Sequence, residues 1–303
     1  MQKLINSRKK LLLFYSPYHF LKGLDADSVI NEFVNNIKID PNIRICIEKT
    51  EFIFIIKYLD WDSCFFKIPI FKIETILYAT DNIQLLIKAI HTFYAQHTEK
   101  DAYYYIEIPS EDIFLIQALG VCGFKLIETR LNLYLTNLKK YNYTRFKTRN
   151  ATDFDIKTLR KVAVENKNVY DRFHADTYFD SRTADEYLGQ YTENAIKGFC
   201  DFVIIPNENG VNQKAFMAVS YLQKSFAALN CKIARLKLAA VDPTCKGWYI
   251  KLTSEAIYKC IEEGADHVLL TTQSTNKAAI VSCEKLGFKI GSLSHVFSKK
   301  NND

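Results

Sequence analysis

The chain is 303 residues long, 48% hydrophobic and 24% charged, with a formal net charge of +6. That length accommodates two ordinary domains, each with its own core, and the balance excludes a disordered or collagen-like chain. The modest positive charge suits phosphorylated small molecules; with no long Lys/Arg run and no recognisable motif, it excludes a dedicated nucleic-acid reader.

Residues 3–15 join a basic patch, Arg8-Lys9-Lys10, to a short apolar run. This mimics a signal peptide, but Tyr18, His19 and Lys22 follow without a small-residue cleavage site, so the N-terminus is expected to pack on the fold. No apolar stretch reaches the length of a membrane span. Eight cysteines are scattered, with no CxxC pair and no Cys/His metal spacing. They read as reduced thiols of a cytoplasmic protein that needs no metal.

Strands are predicted at 52–56 and 68–73. Ile83, Leu86, Ile87, Ile90 and Phe93 recur at helical spacing and predict a helix over 81–97 with Asp81 as its cap. A strand at 103–108, a short helix at 111–119 and a strand at 124–135 follow. The polar stretch 137–143 is the candidate linker, dividing the chain into 1–140 and 141–303. Beyond it come a strand at 145–149 and a helix over 153–166 capped by Thr152 or Asp153, then a helix over 183–197. Strands at 202–205, 215–222 and 234–241 precede a helix over 249–263, a strand at 267–272, a helix over 277–286 and closing strands to 297. Gly123-Phe124-Lys125 and Gly287-Phe288-Lys289 each follow a short helix. This is a weak internal repeat, which duplication or convergent helix–turn–strand chemistry would equally produce.

The stretch 235–252 carries the first chemical signal. Pro243 ends a strand by removing a backbone donor, Gly247 leaves room for close approach to the backbone, and the helix start beyond it presents free N–H groups to an anion. Lys246 and Lys251 add positive charge. A plain structural turn at Gly247 is the alternative.

This loop resembles the pyrophosphate loop of the GCN5-related N-acetyltransferases, Gln/Arg-x-x-Gly-x-Gly/Ala, with Gly247 kept and Thr244 and Tyr249 in the other two places. Asn276-x-x-Ala279-x-x-x-Cys283-x-x-x-Gly287-Phe288 matches the family's Asn-x-x-Ala-x-x-x-Tyr-x-x-x-Gly-Phe, with Cys283 where the family has tyrosine. The resemblance implies an α/β fold: a mixed, mostly antiparallel twisted sheet flanked by helices, with an N-terminal α/β domain as a degenerate partial repeat. It also implies acyl-CoA as co-substrate, acetyl-CoA or a larger donor such as 3-hydroxybutyryl-CoA. Ala239, Ala240 and Val241 would hold the pantetheine, the backbone of Lys246, Gly247, Trp248, Tyr249, Ile250 and Lys251 the pyrophosphate, and Asn276 and Ala279 would line the cofactor. Cys283 would act as a weak general acid or make room for a longer acyl chain; a buried inert thiol is the alternative.

Two further segments resemble nucleotide-sugar N-acetyltransferases of the dTDP-fucosamine type: Trp61-Asp62-Ser63-Cys64-Phe65-Phe66 and Asp171-Arg172-Phe173-His174-Ala175-Asp176-Thr177-Tyr178. They imply a dTDP-linked amino-dideoxyhexose as acceptor. Arg172 would fork to the diphosphate. Trp61, Asp62, Phe65, Phe66, Phe173 and Tyr178 would line the sugar nucleotide, unless the aromatics belong to the core. His174, in a polar loop, is either the general base or an exposed bystander. A homodimer is compatible with these motifs. Also compatible are action on another amine or a protein N-terminus, and a non-catalytic CoA-binding relative.

Overall fold

The computed structural model describes residues 1–38 and 40–301. In chain order the first half contains α1 (Gln2–Tyr15), α2 (Ala26–Lys38), β1 (Asn42–Ile47), β2 (Thr50–Tyr58), α3 (Asp60–Phe66), β3 (Ile70–Leu77), α4 (Ile83–His97), β4 (Tyr103–Pro109), α5 (Ile113–Val121) and β5 (Lys125–Leu135). The second half contains β6 (Thr148–Asn150), α6 (Ile156–Glu165), α7 (Arg172–Ala175), α8 (Ser181–Asn194), β7 (Phe202–Pro206), β8 (Ala215–Tyr221) and α9 (Gln223–Leu229). It ends with β9 (Ile233–Val241), α10 (Trp248–Glu262), β10 (His267–Gln273), α11 (Lys277–Lys285) and β11 (Lys289–Lys300).

Most of the predicted elements are present; α1, α2, β1, α7 and α9 are additional to those predicted, and three further details differ. The cap of α4 is Asn82 rather than Asp81: Asn82 is the last extended residue, and its side chain accepts from the Gln84 N–H. Residues 59–66, assigned to no element from the sequence, turn as the short helix α3. One long strand, β11, closes the chain, because Gly291 does not interrupt its alternation. Of the two predicted caps, Thr152 rather than Asp153 caps the helix, with Asp155 reciprocating in a capping box.

The described residues pack as two compact units, Met1–Arg130 with the chain from Ser292 onward, and Leu131–Gly291. The boundary crosses β5 and β11, so the two halves exchange their last strands. In the first unit, Ser294–Lys300 of β11 pair antiparallel with Tyr103–Pro109 of β4. In the second, Thr271 of β10 donates a hydrogen bond to Asn132 of β5 at 2.7 Å.

Within the first unit β1, β2 and β3 are antiparallel neighbours and β3 runs parallel to β4. Within the second, β6 to β9 are antiparallel neighbours and β9 runs parallel to β10. Each sheet is buried on both faces. In the first unit Phe54, Ile73, Phe93 and Ile106 form a core under α4 and α5, while Ile53, Ile55 and Leu77 pack with Leu4, Leu12 and Ile37 of α1 and α2. Phe54 and Phe93 stack at 4.5 Å, each ring contributing about 1.5–3 kcal/mol by leaving water. In the second unit Leu236, Leu252, Ile257 and Leu270 pack under α10 and α11, and Leu159, Ile205, Phe216 and Ala240 under α6.

The succession α1-α2-β1-β2-α3-β3-α4-β4-α5-β5 is matched by α6-α8-β7-β8-α9-β9-α10-β10-α11-β11. With β6 and α7 set aside, which have no counterpart in the first half, the two halves repeat the same order of elements. The shared Gly-Phe-Lys has a physical cause: Gly123 and Gly287 adopt φ of 77° and 87°, and Phe124 and Phe288 donate backwards to Leu119 and Cys283. Both are left-handed stops that turn a helix into a strand.

Candidate active site

The parallel strands of the second unit separate. β9 and β10 are in register only from Ile233↔His267 to Leu236↔Leu270. Beyond that point β9 stays paired with β8, through Val241, and among the described residues the edge of Leu238–Val241 that would face β10 has no strand partner. A β-bulge sets the divergence: Val219 pairs with Leu236 and Ala218 with Leu238, leaving Lys237 as the extra residue. The outcome is a wedge whose free strand edge runs along Ala239–Val241, the segment predicted to hold pantetheine.

At the mouth of the wedge the chain turns through Asp242 to Gly247 into α10. Asp242 accepts from the Thr244 N–H at 2.9 Å and its hydroxyl at 2.6 Å, so Thr244 is committed to the turn. The Cys245 thiol donates to the Asn212 carbonyl. Gly247 is the N-cap at φ 88°, with no side-chain cap and no acid in the first turn. The helix therefore starts with free N–H groups and the positive end of a 15-residue dipole. Lys246 is exposed beside it. Trp248 is buried and Ile250 packs on the same core, so only their backbones can meet a ligand. The Lys251 ammonium lies over the Trp248 and Phe146 rings at 4.6 and 4.8 Å, and 3.7 Å from Glu208. It is drawn along the helix by these partners.

Asn276 caps α11. Its oxygen accepts from the Ala279 N–H at 3.2 Å, and its amide donates to the Thr272 hydroxyl at 3.0 Å. Ala279 is buried beneath. Cys283 is fully buried, and burial pushes its thiol up to about 12. The Tyr249 phenol, from the first turn of α10, hydrogen-bonds that thiol, and burial drives the phenol's own pKa far upward. Relative to the family pattern, large and small side chains have changed places: tyrosine stands where a small residue was expected, and cysteine where tyrosine was. A thiol held at that pKa is a poor proton donor to a departing CoA thiolate, whose pKa is near 8.5. The space a cysteine leaves on α11 is met by the phenol from α10. Sequence reasoning missed this pairing, since Tyr249 registered only as a departure from the loop pattern.

His174 is not exposed. Its side chain is 4% accessible; Nδ1 lies 2.6 Å from Asp171 and Nε2 3.1 Å from Asp185. Burial opposes its charge, but the two carboxylates prevail and its pKa is raised. A ring whose two nitrogens both face carboxylates is satisfied as imidazolium and has no lone pair for an amine's proton. Asp171 also caps α7 through the Phe173 and His174 N–H groups, and Asp185 pairs with Lys167. The cluster ties α7 to α8.

The remaining predicted residues divide between the units. Trp61, Asp62, Phe65 and Phe66 lie on α3 in the first unit, with Trp61–Phe65 centroids at 6.1 Å and Phe65–Phe66 at 5.2 Å; Asp62 is buried. Arg172, Phe173 and Tyr178 belong to the second. The Arg172 guanidinium covers the Phe173 ring at 4.2 Å, Phe173 is buried against Phe179 and Tyr187, and Tyr178 packs on Phe179.

The first unit has its own wedge. β3 and β4 are in register only from Ile70↔Tyr103 to Ile73↔Ile106, and Glu74 is the bulge residue. Its helix end is occupied, however, by the Asn82 side chain. Asp112, the counterpart of Asn276, forms a buried ion pair with Arg8 of α1 and accepts from the Tyr15 hydroxyl. The second unit alone combines a wedge with an open helix end.

Solved structures match this arrangement of elements. A GCN5-related N-acetyltransferase from Sphaerobacter thermophilus is 9% identical at TM-score 0.57, over 99% of this chain and 94% of its own. A GNAT-family acetyltransferase from Colwellia psychrerythraea is 12% identical at TM-score 0.51, over 99% and 97%. The GCN5-related glucosamine N-acetyltransferase region of a fungal β-N-acetylglucosaminidase is 11% identical at TM-score 0.56, over 97% of this chain and 37% of that one. This is the GCN5-related N-acetyltransferase fold. No family model matches the sequence, and no curated protein matches it in sequence. Among the described residues of this GNAT fold, no helix is long and apolar enough to cross a membrane and no His/Cys/Asp/Glu group is arranged to hold a metal ion.

Proposed function

We propose that the protein is an acyl-CoA-dependent N-acyltransferase whose second unit holds the CoA thioester, acting in the cytoplasm on the amine of a dTDP-linked amino-dideoxyhexose. The observation that carries this reading is the unpaired edge of Leu238–Val241 meeting the uncapped start of α10. The helix end would take the pyrophosphate, and the strand edge would hydrogen-bond the pantetheine amides. A strand N–H near the bulge would polarise the thioester carbonyl as the neutral amine attacks it. Nitrogen–carbonyl bond formation and expulsion of the thiolate complete the transfer, and the amine's proton passes to water. His174, with both ring nitrogens turned to carboxylates, is not assigned to that proton transfer.

The tyrosine–cysteine exchange favours acetyl over 3-hydroxybutyryl as donor, because the Tyr249 phenol reaches the thiol that replaces the family's tyrosine. The amino-sugar acceptor is supported by the Trp61-Asp62 and Arg172-Phe173 motifs, and by the fold shared with a region described as a glucosamine N-acetyltransferase. A second reading, a CoA-binding protein without turnover, is favoured by Thr244 being spent on Asp242 and by a bulky Tyr249 in the phosphate loop. Thioester loss from acetyl-CoA and 3-hydroxybutyryl-CoA, measured against dTDP-linked 3-amino and 4-amino 6-deoxyhexoses, decides between them. Turnover with one pair establishes the enzyme. CoA binding without turnover on any amine establishes the second reading.

A further inference from the structure

The side of the wedge away from α10 and α11 carries two cations that the reading above does not use. On β9, Ala234 and Leu236 point into the core under α10 and α11, whereas Leu238 and Ala240 point toward α6. Arg235 therefore lies on the α6 side, paired across the sheet with Ser220 of β8 and Leu269 of β10. The bulge turns Lys237 to the same side: it acts electrostatically on both Arg235 and the Cys200 thiol, which sits in the α6 core. Two positive groups thus stand side by side where β9 and β10 part.

Among the described residues neither Arg235 nor Lys237 makes an ion pair, whereas Arg8, Arg44, Arg130, Arg145, Arg149 and Arg160 all do. The buried Arg235 Nε has no hydrogen-bond partner. Asp201, which also acts on Cys200, spends an oxygen on the Tyr221 N–H. Ser220 adds a hydroxyl that bonds the Cys200 thiol. Burial and the Arg235 charge both hold the Lys237 pKa down. Placing like charges together without a counter-ion costs stability unless something anionic visits them.

We propose that Arg235 and Lys237 form an oxyanion site on the open side of the wedge that anchors a phosphate or carboxylate group of the acyl acceptor. The proposal rests on the second unit binding CoA from the α10 side. A thioester entering from that side leaves its carbonyl open to attack only from the other, so the acceptor must dock where these two cations lie. A planar guanidinium grips two oxygens of one group while the ammonium neutralises a second. An acceptor bearing both an amine and an oxyanion would be held at two points, whereas a simple alkylamine would be held at one.

The test uses the full chain. Inorganic pyrophosphate and acetate are titrated separately, by calorimetry, into the wild type, Lys237→Gln, Arg235→Gln/Lys237→Gln and Lys246→Gln. Lys246→Gln removes only the cation beside α10, so it separates the two candidate anion sites. The expected result is that pyrophosphate, acetate or both bind at least about tenfold more weakly to the double variant than to the wild type, and more weakly to it than to Lys246→Gln. Tighter pyrophosphate than acetate assigns the site to a phosphorylated acceptor, and the reverse to a carboxylate. Lys237→Gln, a single substitution, gives an intermediate loss even if the double variant is destabilised. Equal anion binding in the wild type and both β9 variants, loss only in Lys246→Gln, or no binding to any form overturns the proposal. These titrations do not depend on turnover, so a failed acyltransferase assay and a failed anion site remain distinguishable. Where turnover is found, the double variant raises the acceptor KM at least about tenfold and leaves the acetyl-CoA KM unchanged.

Discussion

Replacing His174 by Gln separates a structural clamp from a general base. The imidazolium bridges Asp171 and Asp185 from a nearly buried position. Each charge-assisted hydrogen bond is worth about 1.5–3 kcal/mol before desolvation is set against it. Here burial opposes the charge, and the carboxylates are 30% and 26% exposed, which weakens both bonds. Asp171 keeps its two backbone N–H partners and Asp185 keeps Lys167 in the variant, so neither acid is stranded. The net loss is then about 1–3 kcal/mol at pH 6. Because the folded pKa of His174 is raised, the stabilisation is fully present below the unfolded value of about 6.5 and disappears as pH rises through the folded pKa. Asp185, held below its ordinary range by Lys167 and His174 against the effect of burial, gives a second contribution that disappears as pH falls through its own folded pKa. Urea unfolding at pH 6 and pH 9 should show a wild type–variant gap that narrows at the higher pH, with kcat changed less than about threefold. A gap independent of pH, or a kcat loss of about a hundredfold at unchanged stability, refutes the clamp.

Tyr249→Phe removes the phenol's bond to Cys283 and should cost at most about 1 kcal/mol by thermal denaturation, since a thiol is a weak acceptor. Tyr249→Gly should extend turnover toward longer acyl-CoAs, read as a rise in kcat/KM for 3-hydroxybutyryl-CoA relative to acetyl-CoA. Gly247→Ala meets no neighbour within 4 Å but must hold φ near 88°, a strain of about 1–2 kcal/mol, so CoA affinity and melting temperature should fall together. Arg8→Met leaves the Asp112 carboxylate buried without its cation and should destabilise the protein by about 3–5 kcal/mol in urea unfolding. Cys46 and Cys64, the exposed thiols, should react with iodoacetamide in the native protein, and the six buried cysteines only after denaturation, as counted by mass spectrometry.

What the sequence disclosed about the fold and the site follows from the range of each interaction. α4, α10 and α11 were legible because apolar spacing, caps and a terminal glycine are all local. α3 was not, since its seven residues of alternating acid and aromatic character carry no helical period. The wedge was anticipated at Ala239–Val241 only through the family resemblance; the bulge at Lys237 that opens it depends on register with β8, which no local pattern encodes. The same holds for the site. Asp171 stands three residues before His174, yet the second carboxylate comes from α8, and it is this one that engages the ring's other nitrogen. Tyr249 and Cys283 looked like two separate departures from the family pattern because their contact joins two helices.

The exchange of last strands between the halves bears on how the protein is made. The first unit lacks a strand until residues 292–300 have been synthesised, so its sheet cannot be completed before the whole second unit has been made. Domain-by-domain folding from the N-terminus, the usual order for a two-unit chain, is not open to it. Deleting residues 292–300 would strike first at the N-terminal core, and dividing the chain between β5 and β6 would yield two fragments, each lacking strand residues that its own unit uses.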